Sequence, residues 1–194
     1  MPALPEPLRK KLLALSGAGA LALAACYTAF WEGHATRPYA DSGGVLTVCY
    51  GHTGGDITPE TTRTPAQCEA LLAADMRQAF AVIDQQVTVP LSDGQRVALA
   101  AFIHNVGAGA FARSTLLKRL NAGDIPAACD ELRRWVKVNG VTLNGLVNRR
   151  AADEWLCRYG LPAPRIKGDG QSESRLHPVP AGLAVRGRWL ALAA

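Results

Sequence analysis

The stretch Trp31-Glu-Gly-His-Ala-Thr-Arg-Pro-Tyr-Ala-Asp-Ser-Gly-Gly-Val-Leu-Thr-Val-Cys-Tyr-Gly-His52 decides how the chain folds. Pro38 and the turn-forming Asp41-Ser-Gly-Gly44 interrupt any helix, and Val45 to Tyr50 alternate in the way of a short strand, so the segment reads as a β-hairpin. Upstream, Leu12 to Trp31 runs without a charge for about the length that crosses a bilayer as a helix. Glu32 stands where the two patterns meet.

Downstream, Gly51, Gly54 and Gly55 continue an irregular loop to Thr64. Thr64-Pro-Ala-Gln67 supplies an N-cap, a proline at the first helical position and a capping-box glutamine, so a helix is expected from Pro65. Cys68, Leu71, Leu72, Met76, Ala79, Phe80 and Ile83 keep helical spacing, long enough to bridge two lobes. Ser92-Asp-Gly-Gln95 is a second capping box and opens a helix to about Asn105, ended by Gly107 and Gly109. Ser114 caps a helix over 115–121, and Asp124 caps another with Ile125, Cys129, Leu132 and Val136 on one face. A polar loop at Asn139-Gly140 precedes a last helix over 144–159. The pattern predicts an α+β chain, mainly α, with a small hairpin lobe joined by a long helix to a helical lobe. Three parts are expected: an N-terminal membrane segment over 1–31, a catalytic domain over 32–160 and a flexible Pro/Gly/Ser-rich tail over 161–194.

The N-terminal run is long enough but not greasy. Ala, Gly, Ser and Thr make up much of it, so its hold on lipid is marginal. Arg9, Lys10 and Lys11 precede it, which leaves the N-terminus cytoplasmic and exports the chain beyond Trp31. Three readings compete: a cleaved signal peptide, a lipoprotein signal ending at Leu23-Ala-Ala-Cys26, and an uncleaved, weakly held anchor that later leaves the membrane. Beyond Cys26, the cysteines Cys49, Cys68, Cys129 and Cys157 form no C-x-x-C pair, which argues against a structural zinc site. Behind an export-type segment they suggest two disulfides, in any of three connectivities. The formal charge of +5 favours a polyanionic partner. No basic tract with interleaved aromatics, helix-turn-helix signature or zinc-finger spacing points to nucleic acid, and a bacterial wall with its peptide carboxylates fits as well.

Glu32 at a helix end and Asp41 at a hairpin turn can face each other across a cleft, and two carboxyl groups flanking a scissile bond is the arrangement of glycoside hydrolysis. Thr47 on the returning strand can direct a hydroxyl at the same place and hold a water. Glu32, Asp41 and Thr47, with Tyr39 before the turn and Gly51-His52 after it, resemble the catalytic hairpin of the phage-type lysozymes of glycoside hydrolase family 24. Ala98-Leu-Ala-Ala-Phe-Ile-His-Asn-Val-Gly107 resembles that family's central-helix motif, Ser114-Thr-Leu-Leu-Lys-Arg-Leu-Asn-Ala-Gly-Asp124 the segment after it, and Gly145-Leu-Val-Asn-Arg-Arg150 its late Asn-Arg motif. The resemblance covers Trp31 to Gly160.

The resemblance implies a muramidase with the phage-lysozyme fold, cutting the β-1,4 bond between N-acetylmuramic acid and N-acetylglucosamine, usually with inversion. Glu32 is then the general acid, Asp41 the carboxylate supporting the attacking water or the developing positive charge, and Thr47 the residue that positions that water. Arg149 matches the arginine that pairs with the catalytic glutamate, whereas Arg150 reads as a solvated helix charge. Asn105 matches a position near the substrate cleft and is otherwise a helix C-cap; His52 is expected to be structural.

The N-terminal run is similar to the signal-arrest-release segment of lambdoid-phage endolysins. That implies export by the host secretion machinery, a tethered inactive form in the inner membrane and later release to the periplasm. Cys26 is then either a small residue tolerated in the anchor or a thiol that reshuffles a disulfide involving Cys49 on release; a cage on the nucleophile is excluded, because that position holds Asp41. The partners expected are peptidoglycan and the host inner membrane, with no cofactor or metal and the chain a monomer. The competing functions are a lipid-anchored or non-catalytic wall-binding protein and a lytic transglycosylase.

Overall fold

The computed structural model describes residues 4–40 and 44–163. Asp41 and the expected tail beyond residue 163 lie outside the described residues. Two N-terminal helices, α1 (Glu6–Ala14) and α2 (Ala20–Glu32), lead into the antiparallel strands β1 (Ala35–Ala40) and β2 (Leu46–Cys49). In their register Tyr39 stands opposite Thr47 and Ala40 opposite Leu46. The long helix α3 (Pro65–Gln86) follows, then α4 (Asp93–Val106), α5 (Ala108–Ala112), α6 (Thr115–Asn121) and α7 (Ile125–Glu131). A 3-10 turn (Leu132–Arg134), a second small hairpin of β3 (Lys137–Val138) and β4 (Val141–Thr142), and α8 (Asn144–Tyr159) complete the domain.

Both expected capping boxes form: Thr64 and Ser92 each accept from the backbone N–H three residues on, and Gln67 and Gln95 return the bond. The core centres on α4, whose residues from Val97 to Ile103 are all buried between α2, α3 and α8. Leu8, Leu12, Leu23, Ala24 and Tyr27 of the N-terminal helices belong to that same core. Burying side chains of this size contributes about 1.5–3 kcal/mol each for the larger ones, so α1 and α2 are structural parts of the folded domain.

The apolar run is therefore not one helix here. Ser16 and Ala18 close turns onto Leu13 and Leu15, and Gly17 takes φ +98°, which breaks the run between α1 and α2. No helix among the described residues is long and apolar enough to cross a membrane. α2 runs through residue 31 to Glu32 and stops at Gly33 with φ 69°.

Two further expectations are corrected. The helix capped by Asp124 ends at Glu131, so Val136 is not on its face; the 3-10 turn redirects the chain so that Trp135 reaches the Phe102 ring. The loop at Asn139-Gly140 is the turn of a hairpin, with both residues at positive φ as a two-residue hairpin turn requires. The cysteines pair as Cys49–Cys68, tying β2 to the first turn of α3, and Cys129–Cys157, tying α7 to α8; Cys26 is a free thiol on α2.

At Gly94 the start of α4 meets the end of α8 with no room for a side chain. A Cβ there would lie 2.6 Å from Gly160 Cα and 2.9 Å from the Leu156 carbonyl oxygen. Gly94→Ala is expected to lower stability by about 1–3 kcal/mol through this backbone clash, read as a shift in the denaturation midpoint.

Candidate active site

Glu32 closes α2, and α2 packs on α3 and α4 with Leu23, Ala24, Tyr27 and Thr28 buried, while the Tyr27 hydroxyl ties it to Asp153 of α8. This brings its carboxylate to Arg149, one turn and a half into α8. Arg149 Nη1 donates to Glu32 Oε1 at 2.6 Å and Nη2 donates to the Ala101 carbonyl at 3.2 Å. Arg149 is 4 % exposed, so it is a buried cation with two fixed partners, and a charge-assisted bond of this kind orients the carboxylate as well as neutralising it. His104 of α4 brings Nε2 within 4.0 Å of the same carboxylate oxygen and donates from it to the Tyr50 carbonyl at 3.0 Å.

The other carboxylate oxygen faces the loop after β2. Gly51, at φ +82°, approaches so closely that a Cβ would lie 2.9 Å from Glu32 Oε2. The glycine thus serves both the backbone turn and the fit against the acid. Gly51→Ala is expected to strain the turn and push Glu32 off its position, cutting any activity that depends on Glu32 by about tenfold or more while costing about 1–2 kcal/mol of stability. Activity and melting curves on the same preparation check both.

Glu32, Tyr39, Val45, Thr47, Gly51, His104 and Asn105 line one cleft of ≈ 310 Å³ with Thr53, Val106 and Gly107. Thr47 is buried, and its hydroxyl donates to the Val45 carbonyl at 3.0 Å, which leaves its oxygen lone pairs as acceptors. Asp41 lies outside the described residues, so of the expected trio the structure brings together Glu32 and Thr47. His52 points elsewhere: its Nδ1 meets Asp75 Oδ2 of α3 at 2.9 Å, fastening the hairpin lobe to the long helix. Asn105 lines the cleft and does not cap α4, since Gly107 stands at the C-cap.

Arg150 overturns the expectation of a solvated helix charge. It is fully buried, with Nη1 2.7 Å from Asp153 Oδ2, its guanidinium over the Phe102 ring and Nη2 donating to Asn105 Oδ1 at 2.5 Å. Tyr27 donates to the other oxygen of Asp153 at 2.6 Å. Burial lowers the Arg150 pKa, an effect Asp153 opposes. The structural roles of His104, Tyr27, Arg150 and Asp153 all escape sequence reading. The only signal for the last two is the three-residue spacing of an arginine and an aspartate on one helix.

Cys26 sits half-buried on α2 as a free thiol.

The phage lysozyme family model matches residues 29–153, more than half of the chain. A SAR-endolysin of bacteriophage PS119 is 42 % identical over 81 % of this chain and 98 % of its own length. The endolysin of Escherichia coli O157:H7 phage FAHEc1 superposes with a TM-score of 0.64 at 30 % identity, covering 73 % of this chain and 94 % of that one. The muramidase domain of SpmX from Asticaccaulis excentricus gives 0.63 at 27 % identity over 70 % and 94 %.

Proposed function

The chain belongs to the phage lysozyme family, and from that premise we propose how its cleft works and how its N-terminal helices control it. It is a muramidase endolysin acting on bacterial peptidoglycan. The bond cut is the β-1,4 linkage between N-acetylmuramic acid and N-acetylglucosamine. Glu32 acts as general acid, Asp41 as the carboxylate that supports the attacking water or the developing charge, and Thr47 as the residue that positions the water.

The observation that carries this reading is the fixed asymmetry of Glu32. Oε1 is occupied by Arg149, while Oε2 lies beside Gly51, which also lines the cleft, and this leaves Oε2 as the oxygen we assign to the glycosidic oxygen. The Thr47 oxygen, already donating to Val45, is an acceptor for a water proton, the polarity needed to aim a water lone pair at the anomeric carbon. Digesting purified peptidoglycan and identifying the new ends tests the reaction: free reducing ends support hydrolysis, and 1,6-anhydro ends identify a transglycosylase instead.

The same chain is exported with its N-terminus cytoplasmic and is held in the host inner membrane by residues 12–31, the catalytic part in the periplasm, until release. Relatives bearing the name SAR-endolysin, the basic Arg9-Lys10-Lys11 and the small-residue composition of the run support this. Leu12, Leu23, Ala24 and Tyr27 are buried in the protein core of the folded domain, and one set of side chains cannot lie in lipid and in that core at once, so tethering and docking exclude each other. While tethered, α2 is not docked and Glu32 has no Arg149. Division into an anchor over 1–31, a catalytic part over 32–160 and a tail describes the tethered form.

A further inference from the structure

We propose that Arg150 is a positioning residue that fixes Asn105 as a hydrogen-bond donor in the cleft, and that Asn105 thereby reads the acetamido carbonyl of a bound amino sugar. The proposal rests on the muramidase reading and adds a specificity determinant to it. Asn105 is exposed on the cleft wall that also carries Glu32 and Thr47. An asparagine amide can present either its carbonyl or its NH₂, and a free one turns to suit its ligand. Here it is not free, since Arg150 Nη2 donates to Oδ1 at 2.5 Å and a guanidinium has no acceptor. The carbonyl is turned toward Arg150, and Nδ2 with its two hydrogens is the group left for the cleft.

Arg150 in turn cannot yield. It is fully buried, paired with Asp153 at 2.7 Å and packed over the Phe102 ring, with Asp153 closed off by the Tyr27 hydroxyl. The chain Tyr27, Asp153, Arg150, Asn105 runs from α2 through α8 to the cleft end of α4. Docking of the N-terminal helix thus supplies the outermost link of a network whose other end faces substrate.

Clamping the amide matters only for some ligands. Sugar hydroxyls both donate and accept, so they are served by either orientation. A carbonyl oxygen only accepts, and peptidoglycan sugars carry one on each acetamido group. A fixed donor next to the acid therefore selects N-acetylated sugars over the free amines, whose ammonium group would meet an N–H instead of an acceptor.

The test compares peptidoglycan with the same preparation after chemical de-N-acetylation, using the full chain and kcat/KM on each. Wild type is expected to prefer the acetylated wall by about tenfold or more. Asn105→Asp keeps the Arg150 contact, removes the donor and sits at an exposed position that does not threaten folding. It is expected to lose about tenfold on acetylated wall and to treat the two substrates within about threefold of each other. Replacing the buried network together, Tyr27→Phe with Arg150→Met and Asp153→Leu, avoids stranding a charge. If folded by its melting curve, it is expected to raise KM on acetylated wall with kcat within about twofold, and to lose the same preference. An Asn105→Asp enzyme that keeps the wild-type preference overturns the proposal, and so does a folded triple variant that keeps it; if the triple variant does not fold, the Asn105→Asp ratio decides alone. Wild type that cleaves neither substrate would refute the muramidase reading itself, a separate result.

Discussion

Glu32→Gln is expected to abolish peptidoglycan cleavage to within assay background, a loss of about 10²–10⁴-fold in kcat from the general-acid step, with the fold intact. The amide oxygen of glutamine still accepts from Arg149 Nη1, and Arg149 Nη2 keeps the Ala101 carbonyl, so the buried guanidinium is not stranded. Exchanging a charge-assisted bond for a neutral one costs about 1 kcal/mol, a few degrees in melting temperature. Turbidity loss of a wall suspension and a melting curve on the same sample separate the two effects. An inactive but folded variant fits a proton donor; a variant retaining a tenth of wild-type activity removes Glu32 from that role.

The second large effect concerns the anchor. Ala14, Ser16, Gly19 and Ala22 are exposed in the folded domain, and a Cβ at Gly19 meets no atom within 4 Å. Leucine at these four positions leaves the core untouched, whereas in lipid each central leucine contributes about −0.5 kcal/mol, so four add roughly 2 kcal/mol to a marginal hold. Gly17 is avoided because its φ of +98° would strain any side chain in the released form. The fourfold variant is expected to stay in the membrane and leave the wall intact, a loss of lysis of more than tenfold. Extracted and refolded away from lipid, it is expected to regain close to wild-type activity, since the four side chains then point to solvent. Lysis at the wild-type time by the membrane-held variant would sink the tether as a means of control.

Much of the architecture is legible because local chemistry and tertiary packing agree. Thr64-Pro-Ala-Gln67 and Ser92-Asp-Gly-Gln95 dictate helix starts by satisfying backbone N–H groups whatever surrounds them. The turn at Asn139-Gly140 carries an equally local signal, an Asn-Gly pair between valines, but its strands are only two residues each and leave no alternation to read. The apolar run reads as one span because composition and length say nothing of where Gly17 turns, and the same side chains suit lipid or a protein core. Arg149 is recoverable only through resemblance. Arg150 reads as solvated because adjacent arginines on a helix usually diverge to solvent. Here Asp153 stands one turn ahead of it and Tyr27 arrives from 126 residues before that aspartate, and burial follows from their meeting. Pairing of the four cysteines is likewise a matter of which elements touch.

The central claim is that docking of α2 out of the membrane assembles the acid with Arg149. Fractionating cells before and after dissipating the membrane potential, and measuring muramidase activity and intact mass in each fraction, tests it most directly. The account predicts an inactive, full-length protein in the membrane fraction beforehand and the same mass, now soluble and active, afterwards. An active membrane-bound form, or activity that appears only with a shortened or lipid-modified mass, would contradict it.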